Sequence, residues 1–486
     1  MSVPGCTMVI FGGTGDLAHR KLAPAIYNLH LEGRLPSDFS LVGVGRKQKS
    51  DSQYRQELAS SISKYSSSTW DEKQWQTLAL KIHYHAGDMR YAENYLPFKD
   101  AVETCNIESG CNGNYLYYMA LAPHLFTPIA ENLKLHNMTA GESGWRRIMI
   151  EKPFGYDLSS ARKLNNTLSA IIDEESIYRI DHYLGKEMLQ NILVIRFANT
   201  IFEPLWNKRF IDHVQISARE SDGIGDRGRY YDRVGAMRDM FQSHLLQMLA
   251  LMAMEPPLKA DPDTIRTEKL KLLNAVHLWP EEESKSNLIF GQYYGYMQEK
   301  DVAAYSQTET YTALKLAVNN SRWQGVPFYL QTGKKLEDKL VKIVIQFKSP
   351  PSFYFGDPLE GVYKERNDLI NLLTLKVQPK EGVAFQFNVK KPAAIEEVVP
   401  AEMDFCQPCA FLINTPEAYE LLLLDVMNGD QTRFSSWNEI ESSWILTDSI
   451  HSQHRKSLGN FDIYEAGSLG PESAADMLIR DGRHWW

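Results

Sequence analysis

The sequence predicts an α/β region with a parallel sheet, followed by a larger α+β region whose sheet is mostly antiparallel and flanked by helices. Three observations carry this: short apolar runs alternate with helical patterns up to about residue 180, a glycine turn follows the first run, and period-two alternation dominates afterwards. The expected domains are 1–180 and 181–486. Length agrees, since 486 residues at about 150 per domain make two or three.

The first region holds six strand candidates, Thr7–Phe11, Ser40–Gly45, Leu80–His85, Asn114–Met119, Arg147–Ile150 and Ile177–Ile180. Between the first two, Leu17, Leu22, Ala25, Ile26 and Leu29 recur at mostly helical spacing and predict a helix over Asp16–Glu32. Beyond residue 180, Val341, Ile343, Ile345 and Phe347 alternate with Lys342, Val344, Gln346 and Lys348, and Val383, Phe385, Phe387 and Val389 with Ala384, Gln386, Asn388 and Lys390. Such alternation reads as half-buried antiparallel strand. Runs at Val214–Ala218, Tyr311–Val318 and Leu373–Val377 bring the sheet to at least five strands, its second face meeting solvent or another subunit. Met237, Met240, Phe241, His244, Leu245, Met248, Leu249 and Met252 predict a single apolar helix over Gly235–Met254.

The composition, 43% hydrophobic and 23% charged, is that of a globular protein. With 52 Lys+Arg against 61 Asp+Glu the net charge is −9, so no overall field draws the molecule to nucleic acid or an anionic membrane. An anionic ligand must then be held by local cations. No apolar run reaches the roughly 18 residues of a membrane span, and Met1–Thr7 lacks the features of a signal peptide, so a cytoplasmic protein is expected. The pair Cys406-Gln-Pro-Cys409 has zinc-like spacing without a second such pair; free thiols and no metal site are expected.

Gly12-Gly13-Thr14-Gly15-Asp16-Leu17-Ala18 joins the first strand to the first helix, with Gly13, Gly15 and Ala18 at the spacing of a dinucleotide-binding turn. Glycine lets a pyrophosphate approach the backbone, and the helix N-terminus offers unpaired N–H groups and the positive end of its dipole. The first domain therefore reads as Rossmann-like and dinucleotide-binding. Its second strand ends in Arg46-Lys47, where a carboxylate would otherwise grip the ribose of NAD. Two cations there favour the 2′-phosphate of NADP, the alternative being an ordinary solvated loop.

Asp181-His182-Tyr183-Leu184-Gly185-Lys186-Glu187 follows the sixth strand; if the segment is helical, His182 and Lys186 share one face and can converge on one anion. Together with Gly12–Ala18 and Glu151-Lys152-Pro153-Phe154-Gly155, the stretch Arg179–Glu187 that contains it resembles the defining motifs of glucose-6-phosphate dehydrogenases. The resemblance continues through Arg227–Asp232, Asp239–Gln247, Gly325–Tyr329, Gly333–Leu336 and Met427–Asp430, and so covers nearly the whole chain. It implies oxidation of D-glucose 6-phosphate to 6-phospho-D-glucono-1,5-lactone with hydride transfer to NADP, the first oxidative step of the pentose phosphate pathway. Use of NAD at lower affinity stays open, as does the choice between homodimer and homotetramer.

The same resemblance implies roles for particular residues. His244 matches the general base and Asp181 the carboxylate that orients it, although by pattern alone His244 is a core histidine on an apolar helix face. His182, Tyr183, Lys186 and Lys339 match binders of the sugar phosphate; Lys152, Glu220, Asp239 and Lys334 match contacts to its hydroxyls. Cofactor contacts fall on Gly12, Gly13, Thr14, Gly15, Asp16, Leu17, Lys21, Arg46, Lys152 and Pro153. Three positions depart from the family pattern: Ser243 in place of Asn, Gln331 in place of Arg and Pro256 in place of Lys. Ser243 would alter the support of His244, and Gln331 would remove a charge near the phosphate loop. Two rival readings are the same chemistry on another aldose 6-phosphate and a non-catalytic dinucleotide-binding sensor.

Overall fold

The computed structural model describes residues 3–141, 143–277, 287–349, 369–392, 398–406, 417–456 and 461–486. Two compact units emerge: Met1–Lys186 with Lys259–Arg266 and Asn414–Glu441, and Glu187–Leu258 with Thr267–Ile413 and Ser442–Trp486.

In the first unit β1 (Cys6–Phe11), β2 (Phe39–Gly45), β3 (Ile82–Ala86), β4 (Tyr115–Met119), β5 (Arg146–Ile150) and β6 (Ile177–Ile180) lie in the order 3-2-1-4-5-6 and are all parallel. This is the doubly wound order, with its switch point between β1 and β4. All six predicted strands form. A short antiparallel strand, β16 (Phe434–Ser435), pairs with β6 at the edge. Successive residues of β1 point to opposite faces: Met8 and Ile10 pack with Leu22, Ile26 and Leu58, while Val9 and Phe11 pack with Phe98, Val102 and Ile129. Burial on both faces explains why these strands read as continuous apolar runs. The helix predicted over Asp16–Glu32 forms with a π-helical turn at Ala18–Leu22 before its α-helical part, Ala23–Leu31.

The second unit is built on a ten-stranded sheet. Its strands are β7 (Ile211–Arg219), β8 (Val276–His277), β9 (Leu288–Tyr293), β10 (Tyr311–Val318), β11 (Phe328–Gly333), β12 (Leu340–Phe347), β13 (Leu372–Gln378), β14 (Gly382–Lys390), β15 (Val398–Cys406) and β17 (Asp462–Tyr464). Their order is 15-14-13-12-7-11-10-9-17, with β8 on β10. Pairing is antiparallel except for β7 with β11 and β9 with β17. The five predicted strands form. On β14, however, Val383, Phe385, Phe387 and Val389 are only half-buried, and Gly382 and Ala384 on the opposite phase are the buried residues.

Two helix expectations are corrected. Gly235–Met254 is not one α-helix: the helix Gly228–Ala236 is broken at Gly235 (φ +68°), Met237–Leu245 is π-helical, and an α-helix resumes at Leu246–Ala253. Apolar spacing alone cannot separate these forms, because this stretch is buried nearly all round. Asp181–Lys186 is a pair of overlapping turns, with Leu184 N–H donating to Asp181 O and Lys186 N–H to Tyr183 O at 2.9 Å each; the helix starts at Glu187.

Cys6, Cys105 and Cys111 are free and buried, as expected of thiols. Cys406, at the end of edge strand β15, is instead disulfide-bonded, and Cys409 lies outside the described residues. Among the described residues no helix is long and apolar enough to cross a membrane.

Candidate active site

The glycine turn of the first unit is shaped by its neighbours. Gly12 N–H and Gly13 N–H both donate to Val44 O, at 3.0 and 2.9 Å, which folds the turn over β2. Gly12 has φ +88°, and a Cβ on it would stand 2.3 Å from Ala120 O, so only glycine fits between β1 and β4. Behind the turn, Tyr54 OH donates to Gly13 O at 3.0 Å.

A cleft of about 510 Å³ opens at the carboxyl ends of β1 to β4, where doubly wound sheets take their ligands. Gly12, Thr14, Gly15 and Arg46 line it, four of the predicted cofactor residues. Gly13, Asp16, Leu17, Lys21, Lys152 and Pro153 do not. Lys21 pairs with Glu417 at 3.0 Å, and Asp16 faces Arg20 at 3.6 Å. Lys47 turns its carbonyl to Tyr84 OH at 2.7 Å.

Among the lining residues that escaped the sequence reading are Asp88 and Arg90, which follow β3. The Arg90 guanidinium donates to both Asp88 oxygens, at 2.9 and 2.6 Å, and holds that carboxyl below the usual range. Their signal was position, since Gly87–Arg90 stands at the same sheet edge as the glycine turn. Bare backbone beside a helix start, with two arginines on the lining, fits a nicotinamide dinucleotide: its pyrophosphate needs close approach and its phosphates need cations.

Elsewhere in the first unit, Glu151 precedes Lys152 and Pro153 and accepts from Tyr118 OH at 2.5 Å and Tyr419 OH at 3.1 Å, while burial pushes its carboxyl up. Asp181 is 2% exposed and accepts from Tyr183 N–H at 3.0 Å, closing the turn after β6. Around Tyr183 gather its two predicted partners: the His182 ring lies 5.1 Å away edge-on, and Lys186 Nζ stands 5.0 Å from the ring centroid. The turn thus brings His182, Tyr183 and Lys186 together without the helix that spacing suggested.

In the second unit β7 and β11 run parallel, so their carboxyl ends stand side by side. The loop after β7 offers Glu220 and Asp222, and the loop after β11 offers Lys334, Lys335 and Lys339. Lys334 Nζ donates to Glu220 Oε2, and Lys339 pairs with Asp222 at 3.4 Å in an exposed loop. Glu220 N–H donates to Gly333 O and Leu336 N–H to Glu220 O, each at 3.0 Å, which locks the two loops in register. An acceptor and a donor so fixed can read a sugar hydroxyl from both sides.

The π-helix packs against β7 and β11 and carries Asp239 and His244, five apart, the hydrogen-bonding step of a π-helix. His244 is fully buried and Asp239 is 5% exposed. Tyr231, missed in the sequence, lies beneath this group with Lys334 Nζ 5.4 Å from its ring centroid. Burial, and then the negative charge of Asp239, push the Tyr231 hydroxyl well above its ordinary pKa; that hydroxyl has no hydrogen-bond partner among the described residues.

The three departures fall in different places. Gln331 is buried in the sheet, accepting from Tyr311 OH and donating to Ser217 Oγ, at 2.9 Å each, so its amide is absorbed by strand packing rather than turned toward a phosphate. Ser243 Oγ donates back to Asp239 O at 3.4 Å. Pro256 is exposed.

Residues 9–191 match the family profile "Glucose-6-phosphate dehydrogenase, NAD binding domain" and residues 193–486 match "Glucose-6-phosphate dehydrogenase, C-terminal domain". Glucose-6-phosphate 1-dehydrogenase of Chlamydia muridarum is 45% identical, covering 99% of this chain and 97% of that protein. The Bacillus subtilis enzyme of the same name is 42% identical over 99% of this chain and 98% of its own length. A solved structure of glucose-6-phosphate dehydrogenase in complex with its substrate glucose-6-phosphate superposes with a TM-score of 0.89 at 31% identity, covering 100% of this chain and 99% of that one. Two family domains end to end, relatives matched over their full length and a shared fold place this chain among the oxidoreductases: it belongs to the glucose-6-phosphate dehydrogenase family.

Proposed function

We propose that the protein oxidises glucose 6-phosphate at carbon 1 to 6-phosphoglucono-1,5-lactone with NADP as hydride acceptor. The observation that carries this reading is the glycine-walled cleft at the switch point of the first sheet, with Arg46 and Arg90 on its lining. A bound nicotinamide supplies the acceptor for the hydride. His244 takes the proton of the C1 hydroxyl, relieving the positive character that hydride loss builds on that carbon, and Asp181 orients the imidazole and stabilises its charged form. Full burial of His244 keeps bulk water from competing for that proton.

His182, Tyr183, Lys186 and Lys339 hold the 6-phosphate, a dianion suited to dispersed donors and ammonium groups. Lys152, Glu220, Asp239 and Lys334 read the hydroxyls and fix the reacting end. On the cofactor side Gly12, Gly13, Thr14, Gly15, Asp16 and Leu17 present backbone to the pyrophosphate, Lys21, Lys152 and Pro153 add contacts, and Arg46 meets the 2′-phosphate. NAD, which lacks that phosphate, binds more weakly. The functional division falls at 180/181.

The same reading makes the protein a cytoplasmic homodimer or homotetramer. An apolar cleft of about 450 Å³ on the second sheet, lined by Phe347, Leu373, Val383, Phe385, Met403 and Phe405, supports a second copy as its cover. Met403 is 58% exposed and Phe405 43%. Sedimentation tests this directly.

The function is tested by NADPH or NADH absorbance with a panel of aldose 6-phosphates and both nucleotides. Glucose 6-phosphate with NADP should give the highest kcat/KM. Preference for another aldose 6-phosphate would overturn the substrate, and no reduced nucleotide with any of them would leave a sensor.

A further inference from the structure

Glu309, two residues before β10, is a buried carboxylate with no place in the proposed chemistry. It is 6% exposed and lies at the start of the π-helix. Residue 309 takes two consecutive N–H groups there: Ala236 N–H donates to its backbone carbonyl at 2.9 Å, and Met237 N–H to its side-chain Oε1 at 3.0 Å. The first N–H groups of a helix have no partner within it, so this residue closes an otherwise open end. Gly235 gives the chain its bend at this point, and a Cβ on it would stand 2.4 Å from Glu309 Oε1. Kink and carboxylate therefore fit each other closely.

The next residue reaches the other half of the group. Thr310 O accepts from Lys334 N–H at 2.9 Å, and Tyr464 OH donates to Lys334 O at 2.7 Å while lying 3.0 Å from Thr310 Oγ1. One dipeptide thus holds the start of the helix bearing Asp239 and His244, and the backbone of Lys334. Asp232 secures the same loop from the preceding helix, accepting from Tyr296 OH at 3.0 Å, Ala303 N–H at 3.1 Å and Ser306 Oγ.

We infer that Glu309 is a positioning residue, which sets the π-helix carrying Asp239 and His244 in place relative to Lys334. The inference rests on the dehydrogenase reading above. Burial pushes the Glu309 carboxyl up to about 7, against the opposing pull of the Met237 N–H and the charge of Arg238. Protonated or ionised, it still offers Met237 N–H an acceptor oxygen, and so does a glutamine amide. Alanine offers none, and aspartate withdraws the oxygen by about one bond length, ~1.5 Å.

The test compares Glu309→Ala, Glu309→Gln and Glu309→Asp in the full-length protein by melting temperature, kcat, KM for glucose 6-phosphate, and NADP affinity from tryptophan fluorescence. Folded Glu309→Ala should lose about tenfold or more in kcat, since small misplacements of reacting groups are costly. NADP affinity should stay within about twofold and Glu309→Gln should recover kcat to within about threefold. Unchanged kcat in Glu309→Ala overturns the inference, as does a glutamine variant as impaired as the alanine one. If Glu309→Ala does not fold, Glu309→Asp decides: full kcat overturns the inference, and a lowered kcat with NADP affinity kept supports it. An inactive wild type would instead refute the dehydrogenase reading, so the two failures are distinguishable.

Discussion

In the first unit the candidate cleft is walled by backbone, at Gly12 and Gly15, and its Arg46 and Arg90 stand exposed; in the second, His244, Asp239 and Lys334 are 0%, 5% and 7% exposed and held by strand ends and a π-helix. Exposed cations interact weakly until a ligand displaces their water, so they discriminate among ligands without burdening the empty protein. Buried groups were desolvated at folding, and removing one strands its partner. The first arrangement suits affinity and choice of cofactor. The second suits a fixed reaction geometry.

If that contrast holds, the largest effect comes from the fully buried side. His244→Asn should lower kcat by about 100- to 10,000-fold while glucose 6-phosphate still binds in calorimetry. A variant keeping more than half of wild-type turnover would remove His244 as the base. Next comes the exposed rim: Arg46→Ala should weaken NADP by roughly 10- to 150-fold and NAD far less, as read by separate binding titrations. Equal losses for both nucleotides would mean that Arg46 does not read the 2′-phosphate.

Lys186→Ala and Lys339→Ala should each reduce kcat/KM for glucose 6-phosphate by at least about tenfold and leave the poor activity on glucose unchanged. Parallel losses on both sugars would make these lysines structural. The smallest effect sharpens the buried half: Tyr231→Phe removes a hydroxyl that has no hydrogen-bond partner among the described residues, so stability in urea should hold or rise by up to about 1 kcal/mol with kcat maintained. A fall of more than that amount would show that the hydroxyl is satisfied in solution.

Much of the first unit was legible because parallel strands buried on both faces must be apolar runs between turns, and because the glycine turn has local constraints. β16 was not legible, since Phe434–Ser435 is too short for a pattern and its partner Ile180 is remote in sequence. In the second unit the alternating strands were found, whereas β9 and β11 are buried along their whole length and show no alternation. The mostly exposed edge strand β15, with Pro400, shows none either. Motif similarity named Asp181, Glu220, Asp239, His244 and Lys334 as candidates, but could not reveal that Lys21 pairs with Glu417, that Gln331 is consumed by Tyr311 and Ser217, or that Arg90 enters the cleft. Those outcomes depend on neighbours from distant parts of the chain.

Glu220 and Lys334 are 114 residues apart, and they meet only because β11 has been laid beside β7. Closing so long a loop must precede any reward from the contact, which makes such pairings slow to form. A partly folded chain can therefore possess its first helix, Ala23–Leu31, made from neighbouring residues, while lacking the pair of Glu220 and Lys334. On dilution from denaturant, helical signal should return ahead of dehydrogenase activity, and a nascent chain halted before residue 334 carries Glu220 without its ammonium. Activity in this protein is thus a reporter of a long-range pairing that has been completed, rather than of collapse.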